Sequence, residues 1–380
     1  MKRHSSKTSL EASLSDAKVH SFRLNRGLLL AAKDVDPVTI SRDVCGVQAQ
    51  IMSAAYLQLW TRNHSITRTQ IEDALWKKRT LVKTSLMRQT LHLIPADEFW
   101  LYISALKPSR LAGPLRIMAR FGITRTEADD LTGLIMDALS SGPLGRAEIA
   151  TAVRPKVSKR VRAWMEKVWS IVRLPVAEGW ICYGSGEGNE VKLIRTDQWL
   201  KAKARPMPAA QAQDALLRKY LRTYGPATLQ DFSHWSGIPI SEVRPLRGRL
   251  GDEFREIDHD GRKSLLHSDD LAHLDKKPTA ERSLRLLPHF DPYLLAHREK
   301  DHLLSRANYK RVYRNQGWIS PVVLLDGGIA GVWSYKIQGG RLQVTIEPFS
   351  KLAAAMCSRI SLEAQALGAF LALPAEVAFA

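Results

Sequence analysis

Two glutamines, Gln48 and Gln50, flank one alanine in the stretch Cys45-Gly46-Val47-Gln48-Ala49-Gln50-Ile51-Met52-Ser53-Ala54. A carboxamide stays neutral, yet its C=O accepts and its NH2 donates. Two of them on one site could hold a water molecule and a polar substrate atom together. Residues i and i+2 diverge on a regular helix but share a face in extended chain. A shared site therefore places the pair near a helix start or bend, where Gly46 loosens the backbone. A solvated or helix-capping pair is the plain alternative, since glutamine is mostly exposed in folded proteins.

The other chemistry on offer is cationic. The chain carries 56 Lys+Arg against 38 Asp+Glu, a net charge of +18. Such a surplus favours polyanions, nucleic acid or anionic membrane. Arg154, Lys156, Lys159, Arg160, Arg162 and Lys167 cluster with only Glu166 opposing them. They fall where the third helix of a helix-turn-helix would face a DNA groove, where positive charge neutralises phosphates and sequence readout need not follow. A solvated helix face is the alternative. Arg306, Lys310, Arg311 and Arg314 with Tyr309 and Tyr313 form a second basic group, able to grip phosphates or to stack on a base, or else structural. His92 could touch DNA, orient a catalytic group, or sit half-buried in a strand.

Several chemistries find little support. Cys45, Cys182 and Cys357 are odd in number and far apart, against a disulfide framework or a cysteine zinc site and in keeping with a reducing cytosol. His289, Asp291, His297, Asp301 and His302 match no compact metal-ligand spacing. No nucleophile elbow stands out. The N-terminus lacks the apolar core of a signal peptide, and no apolar run is long enough to span a bilayer.

The elements that must position these residues read as α+β and helix-rich: three tandem winged helix-turn-helix modules with a β-rich C-terminal region. Residues 1–20 read as a disordered tail. The first module is 21–110, with a helix over Phe22–Ala32, a capping box at Thr67-Arg68-Thr69-Gln70, and a hairpin of Thr80–Ser85 with Met87–Ile94. The second, 111–203, has helices over Leu131–Leu139, Gly145–Val153 and a long basic one over Val157–Ala177, then strands around the glycine-rich tip 184–189. The third, 211–275, repeats it: Gly142-Pro143-Leu144-Gly145-Arg146-Ala147-Glu148-Ile149-Ala150 aligns with Gly225-Pro226-Ala227-Thr228-Leu229-Gln230-Asp231-Phe232-Ser233. Its expected helices are Ala215–Tyr224 and Ser241–Leu250, followed by a hairpin of Phe254–Asp258 with Arg262–Leu266. Pro206 and Pro208 mark the linker before it, and Lys276-Lys277-Pro278 the boundary after it. Residues 280–380 carry strands over Trp318–Leu325, Ile329–Ile337 and Arg341–Ile346, and a closing helix over Ala364–Leu373.

With these modules and the glutamine pair in the first, the chain resembles the AlkZ-like DNA glycosylases from about Phe22 to Leu352. The resemblance is carried by Val47-Gln48-Ala49-Gln50, Met87-Arg88-Gln89-Thr90-Leu91-His92-Leu93, Leu287-Pro288-His289-Phe290-Asp291-Pro292-Tyr293-Leu294 and Gly317-Trp318-Ile319-Ser320-Pro321-Val322-Val323. The family signature of glutamine, aliphatic residue, glutamine falls on Gln48 and Gln50; a related branch has aspartate at the second position. At Gln89 the family commonly has glycine. The resemblance implies that both glutamines are catalytic in a basic cleft, with a β-hairpin in that cleft, for which Asp326, Gly327 and Gly328 are the first candidates. It implies double-stranded DNA with alkylated or crosslinked bases as the partner, and no metal or organic cofactor. Arg88, His92, Lys156, Lys159, Arg160, Arg311 and Arg314 are the expected DNA contacts. A monomer acting in the cytoplasm on the nucleoid is expected. The competing reading is a winged-helix DNA-binding protein or transcription regulator without catalysis.

Overall fold

A computed structural model describes residues 15–30, 34–168, 170–186, 191–201, 205–259, 261–274 and 283–380. The chain is a mixed helix-and-sheet protein, and the glutamine stretch is a short edge of its largest sheet. The helix Pro37–Asp43 is well begun: Asp36 accepts from the backbone N–H of Val38 and Thr39, and proline occupies its first turn. Cys45 (φ 54°) and Gly46 (φ 95°) then reverse the chain through left-handed conformations. The φ of Gly46 favours glycine, and a Cβ there would also approach the Ile94 side chain at 3.0 Å. The strand Val47–Gln48 follows, with Gln48 opposite His92, and the helix Met52–Trp60 starts just beyond the pair.

The sheet has six strands in the order Val47–Gln48, Leu91–Pro95, Leu81–Ser85, Ile181–Gly184, Lys192–Arg195 and Leu144–Gly145. Its two hairpins, one from each of the first two expected modules, are stitched at Lys83 opposite Tyr183. The hairpin Leu81–Ser85 and Leu91–Pro95 turns through Arg88 (φ 51°) and Gln89 (φ 60°). A separate hairpin pairs Phe254–His259 with Arg262–His267. The C-terminal sheet runs in the order Ala375–Phe379, Arg341–Pro348, Gly328–Gln338, Val322–Leu325, Leu284–Leu287. Its outer strand Ala375–Phe379 is parallel to Arg341–Pro348, as the intervening helix Ala354–Phe370 allows.

The internal repeat has a physical basis. Glu148 returns its carboxylate to the N–H of Gly145 at 2.6 Å, and Asp231 does the same to Thr228 at 2.9 Å. The shared acid is the third-position cap of Arg146–Val153 and of Leu229–Ser236. The capping box at Thr67 and Gln70 is present as well.

Some elements differ from expectation. The N-terminal helix spans Asp16–Arg26, which draws 16–20 out of the expected tail; residues 1–14 lie outside the described residues. The long basic helix is two pieces, Lys159–Met165 and Arg173–Glu178. Pro175 lacks an N–H to donate and fits only a first turn, so the second piece begins just before it. Ser241–Leu250 divides for the same reason at Pro245, into Ile240–Val243 and Leu246–Arg249. The closing helix begins ten residues earlier than expected, at Ala354, and stops at Phe370. The tip residues 187–189 and the boundary 276–278 lie outside the described residues.

One apolar core passes between the first and third segments. Helices Phe99–Arg120 and Ala209–Tyr224 meet within it, with Phe99, Tyr102, Leu106, Tyr220, Phe232, Trp235 and Phe254 buried. No helix among the described residues is long and apolar enough to cross a membrane.

Candidate active site

Gln48 and Gln50 have different surroundings. Gln48 is only 5% exposed, whereas Gln50 is exposed. The backbone between them is fixed by Ala49 N–H donating to Leu91 C=O at 2.7 Å. Gln50 Oε1 accepts from Leu91 N–H at 3.4 Å, a long bond. Gln48 Oε1 accepts from Arg88 Nη2 at 3.1 Å, and Arg88 Nη1 donates to Trp235 C=O at 2.5 Å. Arg88 therefore spans from the glutamine strand to the helix Leu229–Ser236.

Gln58 ties the strand from beneath. Its Nε2 donates both to Gln48 C=O at 3.1 Å and to His289 C=O at 3.0 Å. His289 Nδ1 shares a hydrogen bond with Ile319 C=O at 2.7 Å, and Trp318 lies edge-on to the His289 ring. Asp291 accepts two bonds from Arg62 at 2.8 and 2.9 Å and one from Tyr293 N–H at 3.0 Å. Both partners of that ion pair are fully buried. Four sequence motifs far apart in the chain are thus joined at Gln48: the pair itself, Arg88 with His92, His289 with Asp291, and Trp318 with Ile319. His289 and Asp291 are committed to this framework, and among the described residues no group of three His, Cys, Asp or Glu is placed to hold a metal.

His92 is buried beneath the site at 2% exposure. Desolvation, with the charges of Arg88 and Arg110 pushing the same way, pulls its imidazole down to about 3. It is a neutral ring at physiological pH, hydrogen-bonded to Thr90 C=O at 2.9 Å, so a cationic grip on DNA is not its role. Burial likewise lowers Arg88 to about 10.

Gln50 stands at the edge of a cleft of about 130 Å³ that also takes in Ser85, Gln89, Arg110, Arg146, Arg173 and Tyr183. Among the described residues its lining contains no carboxylate. An apolar cavity of about 300 Å³ adjoins it, sharing Pro114, Ser170 and Arg173. Gln89 reaches this cleft from a left-handed backbone, φ 60°, where glycine would be unstrained.

The remaining expected site residues lie elsewhere. Lys156, Lys159 and Arg160 are exposed, with Arg160 donating to Gly122 C=O. Arg311 pairs with Glu347 at 3.3 Å over the Phe349 ring, and Arg314 is exposed. Asp326 and Gly327 form the tight turn between two strands of the C-terminal sheet. That turn is tied down: Asp326 accepts from Ser283 N–H at 2.8 Å, and Tyr293 Oη donates to Gly327 C=O at 3.2 Å. The structure does not bring 326–328 to the lining of the Gln50 cleft.

Sequence reasoning missed Gln58, Arg110, Arg146 and Arg173 as site residues. Gln58 was detectable as the one amide inside the apolar helix Met52–Trp60.

A model of the AlkZ-like DNA glycosylases matches residues 42–370. The chain belongs to that family. It is accordingly a DNA glycosylase. Its similarity extends to an interstrand DNA cross-link repair glycosylase of Streptomyces sahachiroi, 31% identical over 352 residues, covering 87% of this chain and 90% of that one. The solved structure of Streptomyces sahachiroi DNA glycosylase AlkZ superposes with a TM-score of 0.83 at 27% identity, covering 96% of this chain and all of that one.

Proposed function

We propose that this glycosylase is monofunctional and hydrolyses the N-glycosidic bond of N7-alkylated or crosslinked purines in duplex DNA, with Gln50 and Gln48 as its catalytic pair. The observation that carries this reading is an exposed, uncharged carboxamide at the edge of a cleft lined by arginines, with no carboxylate among its described lining residues. An N7-alkylated purine is cationic and already a good leaving group, so little general-acid help is needed. What remains is to place water at the anomeric carbon and to stabilise an oxocarbenium-like sugar, which oriented amide dipoles can do. Exposed Gln50, lining the cleft, is assigned the water and the sugar. Gln48, gripped by Arg88 and Gln58, is assigned to set the position of that strand and to offer its own NH2. The adjoining apolar cavity offers room for an alkyl adduct.

We read the helices and hairpins as three tandem winged-helix units, the first two sharing one sheet, that hold the duplex against this cleft as a monomer in the cytoplasm. Exposed Lys156, Lys159 and Arg314 are assigned to backbone phosphates. The test is incubation with a duplex carrying one N7-alkylguanine. Free modified base should appear while the strand stays intact until alkali or heat is applied. Strand scission concurrent with base release would show a lyase activity, and binding with no release at all would leave a DNA-binding protein.

A further inference from the structure

Arg110 lies in the middle of the helix Phe99–Arg120, only 6% exposed, yet it lines the cleft beside Gln50. Its Nε and Nη1 are buried with no hydrogen-bond partner among the described residues. Burial pulls the guanidinium down to about 10, opposed only by Tyr183. A group of this basicity keeps its charge at neutral pH, and its donors need acceptors. Among the described residues none accepts from these two nitrogens. Arg173 lines the same cleft, and among the described residues its lining holds no carboxylate. Such a site is completed by an anion.

Among the groups DNA presents, only the phosphodiester is anionic. An N7-alkylated base carries positive charge and would be repelled by these arginines. The planar fork of a guanidinium matches two non-bridging phosphate oxygens. We propose that Arg110 binds the phosphodiester flanking the damaged nucleotide, clamping the backbone so that the attached sugar faces Gln50. This rests on the glycosylase reading and adds a positioning residue to it.

The test uses the full chain, its Arg110→Met and Arg110→Lys variants, and duplexes carrying one N7-alkylguanine. A single neutral methylphosphonate is moved through the phosphodiesters on either side of the lesion. Affinity, its salt dependence and single-turnover base release are read for each duplex. The wild-type protein should lose about tenfold or more in affinity at one flanking position. Arg110→Met should lose a similar factor on unmodified DNA and nothing further at that position, with the slope of log K against log salt shallower by about 0.9. Arg110→Lys should recover part of the affinity. The proposal is overturned if Arg110→Met melts like the wild type and binds like it, or suffers the full additional loss at every methylphosphonate. Should Arg110→Met fail to fold, a wild-type scan with no sensitive flanking position overturns it equally. Absence of base release by the wild-type protein sinks the glycosylase reading instead, while the binding measurements still decide the phosphate contact.

Discussion

Replacing Gln58 with leucine tests whether the glutamine strand is held in place for catalysis. Gln58 is fully buried, and its NH2 serves two main-chain carbonyls, Gln48 C=O and His289 C=O, while its Oε1 is buried without a partner among the described residues. Leucine keeps the bulk and removes both donors. Two stranded acceptors cost about 1–3 kcal/mol each, and relief of the unpartnered amide oxygen returns about 1–3 kcal/mol. The net expectation is a loss of about 1–3 kcal/mol, visible as a melting temperature a few degrees lower. The larger effect should be on turnover. Gln48 loses its tether to the C-terminal segment, and a displacement of about 1 Å in a catalytic group can cost about 10²-fold. Single-turnover base release should therefore fall at least about tenfold at saturating protein, with duplex affinity within about twofold of wild type. A variant that melts lower but releases base at the wild-type rate would refute the tether.

Asp291→Asn strips the charge that answers Arg62 in a fully buried pair, so a destabilisation of about 3–5 kcal/mol is expected, read as a collapse of soluble yield or melting temperature; a change under about 1 kcal/mol would count against it. His92 is held near 3 when folded against an ordinary imidazole value of 6.5, so the unfolded chain binds the extra proton between those values. Its contribution is complete above pH 6.5 and is lost as pH falls toward 3. Stability should thus decline less steeply between about pH 6 and 4 in His92→Gln than in wild type, by at most about 1.36 kcal/mol per pH unit; parallel profiles would reject the assignment. Gln89→Gly removes a side chain from a left-handed backbone and should raise stability by about 0.5–1 kcal/mol, after the entropy of glycine is counted. A lower melting temperature would show that the Gln89 side chain contributes more than its backbone costs.

Much of the local structure was legible because it is written in nearby residues. The capping box at Thr67, the repeated acid at Glu148 and Asp231, and the hairpin that pairs His259 with Arg262 each follow from residues a few positions apart. Helix interruptions at Pro175 and Pro245 were also present in the sequence, but basic and apolar periodicity masked them. The glutamine pair was visible as a motif, and its bend was foreshadowed by Gly46. The unequal burial of Gln48 and Gln50 was not, because it depends on Arg88, 40 residues from Gln48, and on Gln58, which is tied to His289 across 231 residues of chain. The cleft arginines escaped for the same reason: Arg110, Arg146 and Arg173 carry no common spacing and converge only through the shared sheet and the helix packed on it.

The central claim is that a neutral carboxamide on Gln50 guides water to the glycosidic bond. Gln50→Leu, of similar size and without the amide, isolates it. With N7-alkylguanine duplex at saturating protein, single-turnover release of free base should fall about 10²-fold or more while the dissociation constant for the same duplex stays within about threefold. Release at the wild-type rate by Gln50→Leu would contradict the account.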